Sequence, residues 1–331
     1  MLILTIVVIL ALAFDFTNGF HDTANAIATS VSTRALSPRF AVFYAAVLNL
    51  AGALVFTGVA KTIGQGITDP LKIQHGMIVV LTAILAAIAW NLITWWLGIP
   101  SSSSHALIGS LTGAVISAAG LHAINVKGFT SIIEALVISP IVALLVGYIV
   151  MTILKLIFAN SAPGKLNKGF RFLQIFSAGF QAFTHGTNDA QKSMGIIAFA
   201  LVAGGFETHL FIPTWVKIVC ALAMGLGTLS GGWRIIRTVG TKIIKLEPIT
   251  GFASDLTASS VVISATLLKV PVSTTHIISS AIMGVGGARR FRSVKWGVAG
   301  QIVTAWIITI PISACLAGFL FQIAKALFIK Q

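Results

Sequence analysis

Residues 14–28 read FDFTNGFHDTANAIA, and residues 181–195 read QAFTHGTNDAQKSMG. The two stretches share the pattern Phe-Thr-x-Gly-x-x-Asp, which aligns Asp22 with Asp189 at an offset of 167 positions. Both aspartates stand beside glycine and between long apolar runs. Such self-similarity within one chain predicts an internal duplication.

The composition predicts a membrane protein. Residues of the set AVILMFWYC make up 56% of the 331 residues, charged residues make up only 9%, and the mean hydropathy is +0.98. A soluble domain carries about 25% charged residues, and the continuous apolar runs, which do not alternate with period two, argue against an outer-membrane β-barrel. The formal net charge is +14. The Lys and Arg residues that carry it lie in the gaps between apolar runs, as the positive-inside rule expects. We therefore expect a multi-pass protein of the inner or plasma membrane that does not bind nucleic acid.

A second repeated stretch supports the duplication. Pro100–His105 reads PSSSSH and Pro271–His276 reads PVSTTH, at an offset of 171 positions and in the same order. The predicted domains are a first membrane repeat at 1–158, a short cytoplasmic linker at 159–169 and a second, inverted membrane repeat at 170–331.

The inversion follows from the number of crossings. Five crossings per repeat, an odd number, would turn the second repeat over relative to the first, and a start outside the cell then places most Lys and Arg residues inside. Both termini are thus predicted outside. The predicted fold is an all-α polytopic helical membrane protein with two inverted-topology repeats, helices broken at the Asp motifs, and PxSSSH hairpins that either cross or are re-entrant. Inverted repeats with interrupted helices are typical of secondary transporters, which bind substrate near the midplane.

The paired aspartates predict a cation site. An ionised carboxylate in hydrocarbon costs at least ~2.5 kcal/mol, and this chain carries one at matched positions, Asp22 and Asp189. The helix could unwind at residues 17–19 and 184–186 and so free backbone carbonyls. Together with the carboxylates, these oxygens suit Na⁺ or a proton. The alternative is that both carboxylates merely cap half-helices. With the nearby amides, the predicted Na⁺ ligands are Asp22, Asn25, Gln181, Asn188 and Asp189; for the amides the alternative is hydrogen bonding between helices.

The PxSSSH stretches predict an oxyanion site. Proline followed by Ser or Thr starts a helix, and its first backbone N–H groups and dipole, together with the hydroxyls, suit a tetrahedral anion such as phosphate or sulfate. The alternative is that the hydroxyls bond back to their own helices. The predicted anion-binding residues are Thr23, Ser102, Ser103, Ser104, Asn188, Ser273, Thr274 and Thr275. Lys192, His105 and His276 are left with open roles: ion pair, anion contact or extension to the membrane surface for the lysine, packing or proton relay for the histidines.

No nucleotide-binding or nucleophile motif is present in the sequence, so we expect no enzyme and no cofactor. Transport energy would come from an ion gradient or from the gradient of the substrate itself.

The motifs resemble those of the inorganic phosphate transporter family, the PiT symporters coupled to Na⁺ or H⁺. GFHDTANA at 19–26 is similar to the GANDVANA signature of that family, with His21 where Asn is usual, and GTNDAQKSMG at 186–195 is similar to its second copy. The resemblance spans essentially the whole chain. It implies symport of phosphate by alternating access, with Asp22, Asn25, Asn188 and Asp189 as core site residues.

The expected partners are therefore phosphate, Na⁺ or H⁺, and membrane lipid, with a homodimer as one possibility for the assembly. The open alternatives are a symporter for sulfate or another oxyanion, and an anion channel or exchanger without cation coupling.

Overall fold

The computed structural model describes residues 1–328, and over that range the chain is helical with no strand. The α-helices, in chain order, are α1 (Leu2–Ser32), α2 (Pro38–Ala53), α3 (Gly58–Gly66), α4 (Gly76–Leu97), α5 (Ser103–Ala119), α6 (Val126–Ile157), α7 (Pro163–Ala203), α8 (Thr214–Ser230), α9 (Trp233–Arg237), α10 (Pro248–Leu267), α11 (Thr274–Arg289) and α12 (Trp296–Phe328). This confirms the all-helical fold class. Because α7 begins at Pro163, it takes in more than half of the predicted linker. The predicted outside location of the C-terminal end falls on residues 329–331, outside the described residues.

The helices are broken, but at other places than predicted. The axis bends by 71° between α2 and the helical stretch 58–72, and by 62° between α8 and the stretch 233–242. By contrast, α1 and α7 run without interruption through the two Asp motifs. The expected unwinding at 17–19 and 184–186 is therefore wrong.

Close helix packing explains the motif glycines. A Cβ on Gly19 would lie 2.5 Å from the carbonyl oxygen of Met224 in α8, and a Cβ on Gly186 would lie 2.1 Å from that of Asn49 in α2. Neither distance is tolerable, so each position needs a residue without a side chain. The glycines let two backbones touch, as small residues do in membrane helix pairs.

Helices from the first part of the chain pack against helices from the second part. Helix α1 packs against α8 while its counterpart α7 packs against α2, and α6 packs against α11 while α12 packs against α5. The glycine contacts follow the same rule: Gly227 of α8 meets the carbonyl of Phe16, and Gly52 of α2 meets that of Phe183. Each half thus supplies the surface against which the other half packs.

The motif helices α1 and α7 are antiparallel. Asn18 of α1 reaches Asp189 of α7 at 3.5 Å, whereas Thr33, which directly follows α1 and lies fifteen positions after Asn18, donates to Gln174 of α7 at 2.6 Å. Residue numbers therefore rise along one helix as they fall along the other. The middle of each motif helix consequently faces the middle of its partner.

Within residues 1–328, four helices (α1, α4, α6 and α12) are long and apolar enough to cross a membrane, and the number of spans rises to six if each bent pair is one span. Helices α5 and α11 have 17 and 16 residues, about 25 Å at ~1.5 Å per residue, which is less than the ~30 Å hydrocarbon core. Crossing and re-entrant arrangements of these two helices both stay predictions, as do the total of ten crossings and the orientation.

Candidate functional site

The site lies where the first turns of α5 and α11 meet. The hydroxyl of Ser104 donates to the carbonyl of Val272 at 2.8 Å, which joins the two helix starts directly. Ser102 caps α5 by accepting from the backbone N–H of His105 at 3.1 Å, and Ser273 caps α11 in the same way. Serine favours this position because its side chain satisfies one of the unpaired N–H groups of a helix start.

From this point the two helices diverge. Helix α5 shares an apolar core with Val7 and Phe14 of α1, whereas α11 shares one with Ile27 and Leu36, at the other end of α1 and beyond it. The positive ends of both helix dipoles therefore point at one buried place. Two such ends favour an anion there.

Asp22 lies at this meeting point. Its Oδ1 accepts from the hydroxyl of Thr275 at 3.3 Å and lies 2.7 Å from Nδ1 of His21, and its Oδ2 accepts from the hydroxyl of Ser103 at 3.1 Å. Ser103 belongs to α5 and Thr275 to α11. One carboxylate thus contacts the first turns of both helices.

Asp189 lies next to it on α7. Its Oδ2 is 2.8 Å from Nζ of Lys192, 3.3 Å from the hydroxyl of Thr274 and 3.4 Å from Nε2 of His185. Asn18 of α1 approaches the same oxygen at 3.5 Å. The duplicated aspartates are therefore brought together from opposite halves of the chain, as the repeat predicted.

The ligand atoms of Asp22, Asp189 and His185 lie within 4.8 Å of one another, and all three side chains are buried. Two unit charges at that separation repel by about 3.5 kcal/mol with an effective dielectric constant of about 20. A positive charge between them would turn the repulsion into attraction. This group can therefore hold a cation.

Three of the predicted cation ligands have a side-chain oxygen without a partner. In the part of the chain that the structure describes, Oδ1 of Asn25, Oδ1 of Asn188 and Oδ1 of Asp189 are buried without a hydrogen-bond partner. Buried polar atoms are normally satisfied, and carboxylate and amide oxygens are the ligands that hard cations prefer. His185 adds a nitrogen, because Oδ1 of Asn49, an acceptor, contacts Nδ1 at 2.9 Å and so directs the proton to Nδ1.

The three predicted amide ligands have different hydrogen-bond partners. Asn25 donates to both Thr274 at 3.3 Å and Thr275 at 2.9 Å, which links α1 to the first turn of α11. Asn188 donates to Thr266 of α10 at 3.2 Å. Gln181 donates to the backbone carbonyl of Asn25 at 3.3 Å, so it supports that residue from behind.

Three of the predicted anion-binding hydroxyls face the acidic pair: those of Ser103, Thr274 and Thr275. Thr23 does not, because its hydroxyl lies 2.6 Å from the carbonyl of Gly19 and 3.3 Å from that of Thr228. In this structure the Thr23 hydroxyl is bonded to backbone carbonyls, and its role in anion binding stays a prediction. Ser102 and Ser273 cap their helices and Ser104 links the two helix starts, and contact of these serines with an anion stays a prediction.

The structure shows the contacts of the three residues with open roles. Lys192 is 1% exposed and pairs with Asp189, so it does not extend to the membrane surface. The rings of His105 and His276 lie 4.3 Å apart, and His276 stacks on Trp306 at 3.9 Å. Packing between helix starts is the role that this geometry supports for both histidines.

Sequence reasoning missed two residues that contact Asp189, and it assigned no role to a third buried polar residue, Asp15. Asn18 and His185 both approach Asp189 and stand at equivalent positions of the repeat, 167 apart; extending the alignment to non-identical positions would have found them. Asp15 is fully buried, and neither of its carboxylate oxygens has a hydrogen-bond partner among residues 1–328. No pattern in the sequence marks it, since its counterpart is Ala182.

Comparison with known proteins identifies the chain. Residues 18–317 match the sequence model of the family described as "Phosphate transporter family". The chain belongs to the phosphate transporter family. Its members are transporters and not enzymes, and this chain, with its apolar helices, is a multi-pass membrane protein.

Individual members of the family are similar over almost their whole length. A probable low-affinity inorganic phosphate transporter of Bacillus subtilis (strain 168) is 57% identical over 330 residues, which are 99% of both chains. A protein of the same description from Rhizobium meliloti (strain 1021) is 46% identical over 94% of this chain and 93% of its own. A solved structure, "The sodium-dependent phosphate transporter", superposes with a TM-score of 0.90 at 26% identity, covering 99% of this chain and 100% of the other.

Proposed function

We propose that this family member is a secondary active symporter that carries inorganic phosphate together with a cation, Na⁺ in preference to H⁺, by alternating access. The observation that carries the proposal is the meeting of Asp22 and Asp189 with the first turns of α5 and α11. A carboxylate pair beside two helix N-termini puts a cation site and an anion site in direct contact.

The charges explain why the two ions would move together. Phosphate carries one to two negative charges near neutral pH, and Asp22 and Asp189 add two more, against the single positive charge of Lys192. Like charges a few ångströms apart repel by several kcal/mol even at an effective dielectric constant of about 20. Phosphate therefore binds well only when a cation is bound as well, which couples their transport without ATP.

The hydroxyls supply the switch between the two states of the site. Ser103, Thr274 and Thr275 donate to carboxylates in this structure. When a cation takes over the carboxylates, the same hydroxyls can turn to phosphate oxygens, joined by the N–H groups of the helix starts. The cation would lie among Asp22, Asn25 and Asp189, with Asn188 and Gln181 in support.

Alternating access needs two similar halves that rock about the site. We assign them to 1–158 and 170–331, with the second inverted. The antiparallel course of the matched helices α1 and α7 supports this assignment. The similarity to a sodium-dependent phosphate transporter supports Na⁺ as the coupling ion. We place the chain in the inner or plasma membrane with the N-terminus outside; the exposed apolar sides of α6 and α12 would face lipid or a second copy.

Uptake of labelled phosphate into proteoliposomes tests the proposal. An inward Na⁺ gradient is compared with a matched K⁺ gradient at constant pH, and an inward proton gradient is tested separately. We expect uptake with Na⁺; uptake with the proton gradient alone would keep the site and change the ion. Uptake indifferent to both gradients would indicate a channel or exchanger and refute coupling. If excess unlabelled sulfate inhibits uptake of labelled phosphate as strongly as excess unlabelled phosphate does, selectivity for phosphate is refuted.

A further inference from the structure

The two halves differ in charge three residues after each motif aspartate. Asn25 follows Asp22 by three residues, and Lys192 follows Asp189 by three, so the two stand 167 positions apart like the aspartates themselves. The first repeat therefore has an amide where the second has an ammonium group. The pair breaks the charge symmetry between the two halves at the site.

The ammonium group is fixed in the site. Nζ of Lys192 is 2.8 Å from Oδ2 of Asp189 and donates to the hydroxyl of Ser103 at 3.1 Å. The side chain is 1% exposed, among the largest fully buried in the described part of the chain. A buried lysine remains charged most readily when a carboxylate pairs with it, and Asp189 is in contact.

The amide at the equivalent place offers an oxygen instead. Asn25 donates through Nδ2 to Thr274 and Thr275, whereas its Oδ1 is buried without a hydrogen-bond partner within residues 1–328. Next to it, Asp22 contacts an imidazole, His21, which can donate from Nδ1 while neutral. The first repeat thus presents a carboxylate and an amide oxygen, and no side chain there carries a fixed positive charge.

We infer that Lys192 takes the place of one coupling cation, so that this transporter binds a single free cation, at Asp22 and Asn25, for each phosphate. The inference rests on the proposed function and narrows it. A carboxylate with an oxygen donor three residues later forms a cation site in the first repeat, and the tethered ammonium group fills the corresponding place in the second. Because Lys192 also contacts Ser103 in the first turn of α5, its charge attracts the anion as a bound cation would.

The order of the Na⁺ dependence tests this inference. Initial rates of phosphate uptake into proteoliposomes are measured against Na⁺ concentration for the wild type, Lys192→Asn, Lys192→Arg and the exposed control Lys61→Asn. We expect a Hill coefficient near one for the wild type, for Lys192→Arg and for Lys61→Asn. Lys192→Asn creates the arrangement of the first repeat in the second, so its coefficient should rise toward two.

Two results would overturn the inference. One is a wild type that already needs two cations. The other is a Lys192→Asn variant that stays first order and only shows a higher KM for phosphate, which would make Lys192 a simple anion ligand.

The stoichiometry can also be measured on the unmodified protein, in case Lys192→Asn does not fold. The reversal potential of phosphate flux at graded Na⁺ or proton gradients should give one cation per phosphate, and two would contradict the inference. Wild-type uptake that ignores every cation gradient would overturn the proposed function itself, and it would be seen before any variant is made.

Discussion

The buried pair Asp189–Lys192 predicts a specific pattern of stability changes. Its two charged atoms are 2.8 Å apart, and both side chains are at most 1% exposed. At an effective dielectric constant of about 20 their attraction is about 6 kcal/mol, much of it offset by the cost of removing both from water. Breaking such a pair on one side typically costs about 3–5 kcal/mol, whereas replacing both partners is often nearly neutral.

We therefore expect Asp189→Asn and Lys192→Asn each to lower the free energy of unfolding by about 3–5 kcal/mol. In the double variant no charge is left alone, so it should be more stable than either single variant. Unfolding by SDS titration, followed by tryptophan fluorescence, measures all three.

A matched control is the surface pair Lys72–Asp69, whose nitrogen and oxygen are 3.4 Å apart while the side chains are 82% and 43% exposed. Lys72→Asn should change stability by less than ~1 kcal/mol, as exposed pairs do. If the two single effects simply add in the Asp189→Asn/Lys192→Asn variant, the residues are not energetically coupled and the reasoning about the pair fails.

Three further predictions concern packing, the anion site and coupling. Gly186→Ala should lower the free energy of unfolding by roughly 1–3 kcal/mol, since its Cβ would lie 2.1 Å from a backbone carbonyl of α2. In the control Gly300→Ala the new Cβ has nothing within 4 Å, so the free energy of unfolding should stay unchanged or rise by up to ~1 kcal/mol. Equal effects of the two substitutions in SDS titration would contradict this. Ser103→Ala should raise the KM for phosphate about tenfold, since a hydrogen bond to a charged group contributes ~1.5 kcal/mol or more, and the exposed Ser260→Ala should not; a KM unchanged in Ser103→Ala would remove this hydroxyl from the site. Asp22→Asn should abolish the difference between uptake driven by Na⁺ and by K⁺ gradients, and a variant that keeps it would show that the cation binds elsewhere.

The sequence alone predicts the all-helical membrane fold and the pairing of the two aspartates, because repetition carries that information. Asp22 and Asp189 are matched by identical neighbours, and a duplicated chain that folds back on itself brings matched residues together. Ser103, Thr274 and Thr275 were predicted for the same reason. Each belongs to a repeated helix start, where unpaired N–H groups and hydroxyls gather.

Details that depend on tertiary contacts could not be predicted. Gly19 can loosen a helix or let another backbone approach, and only the position of Met224 shows which applies. Thr23 can face a ligand or bond to Gly19, four residues earlier, and in this structure its hydroxyl donates to the backbone carbonyl of Gly19. The partner of Lys192 was open for the same reason, since a long side chain can reach several places and contact with Asp189 and Ser103 selects one.

The opposed course of α5 and α11 also bears on the membrane potential. Each helix carries about half an elementary charge at either end. Moving one elementary charge across the membrane potential changes the free energy by about 2.3 kcal/mol per 100 mV, so a helix dipole that changes its tilt in the membrane responds to voltage. Here the two positive ends meet and the negative ends point toward opposite ends of α1. Their dipoles therefore largely cancel along that direction, and a rocking motion that moves both moves little net charge. Voltage should then act on uptake mainly through the ions that are carried, so the current per phosphate reports the transported charge directly.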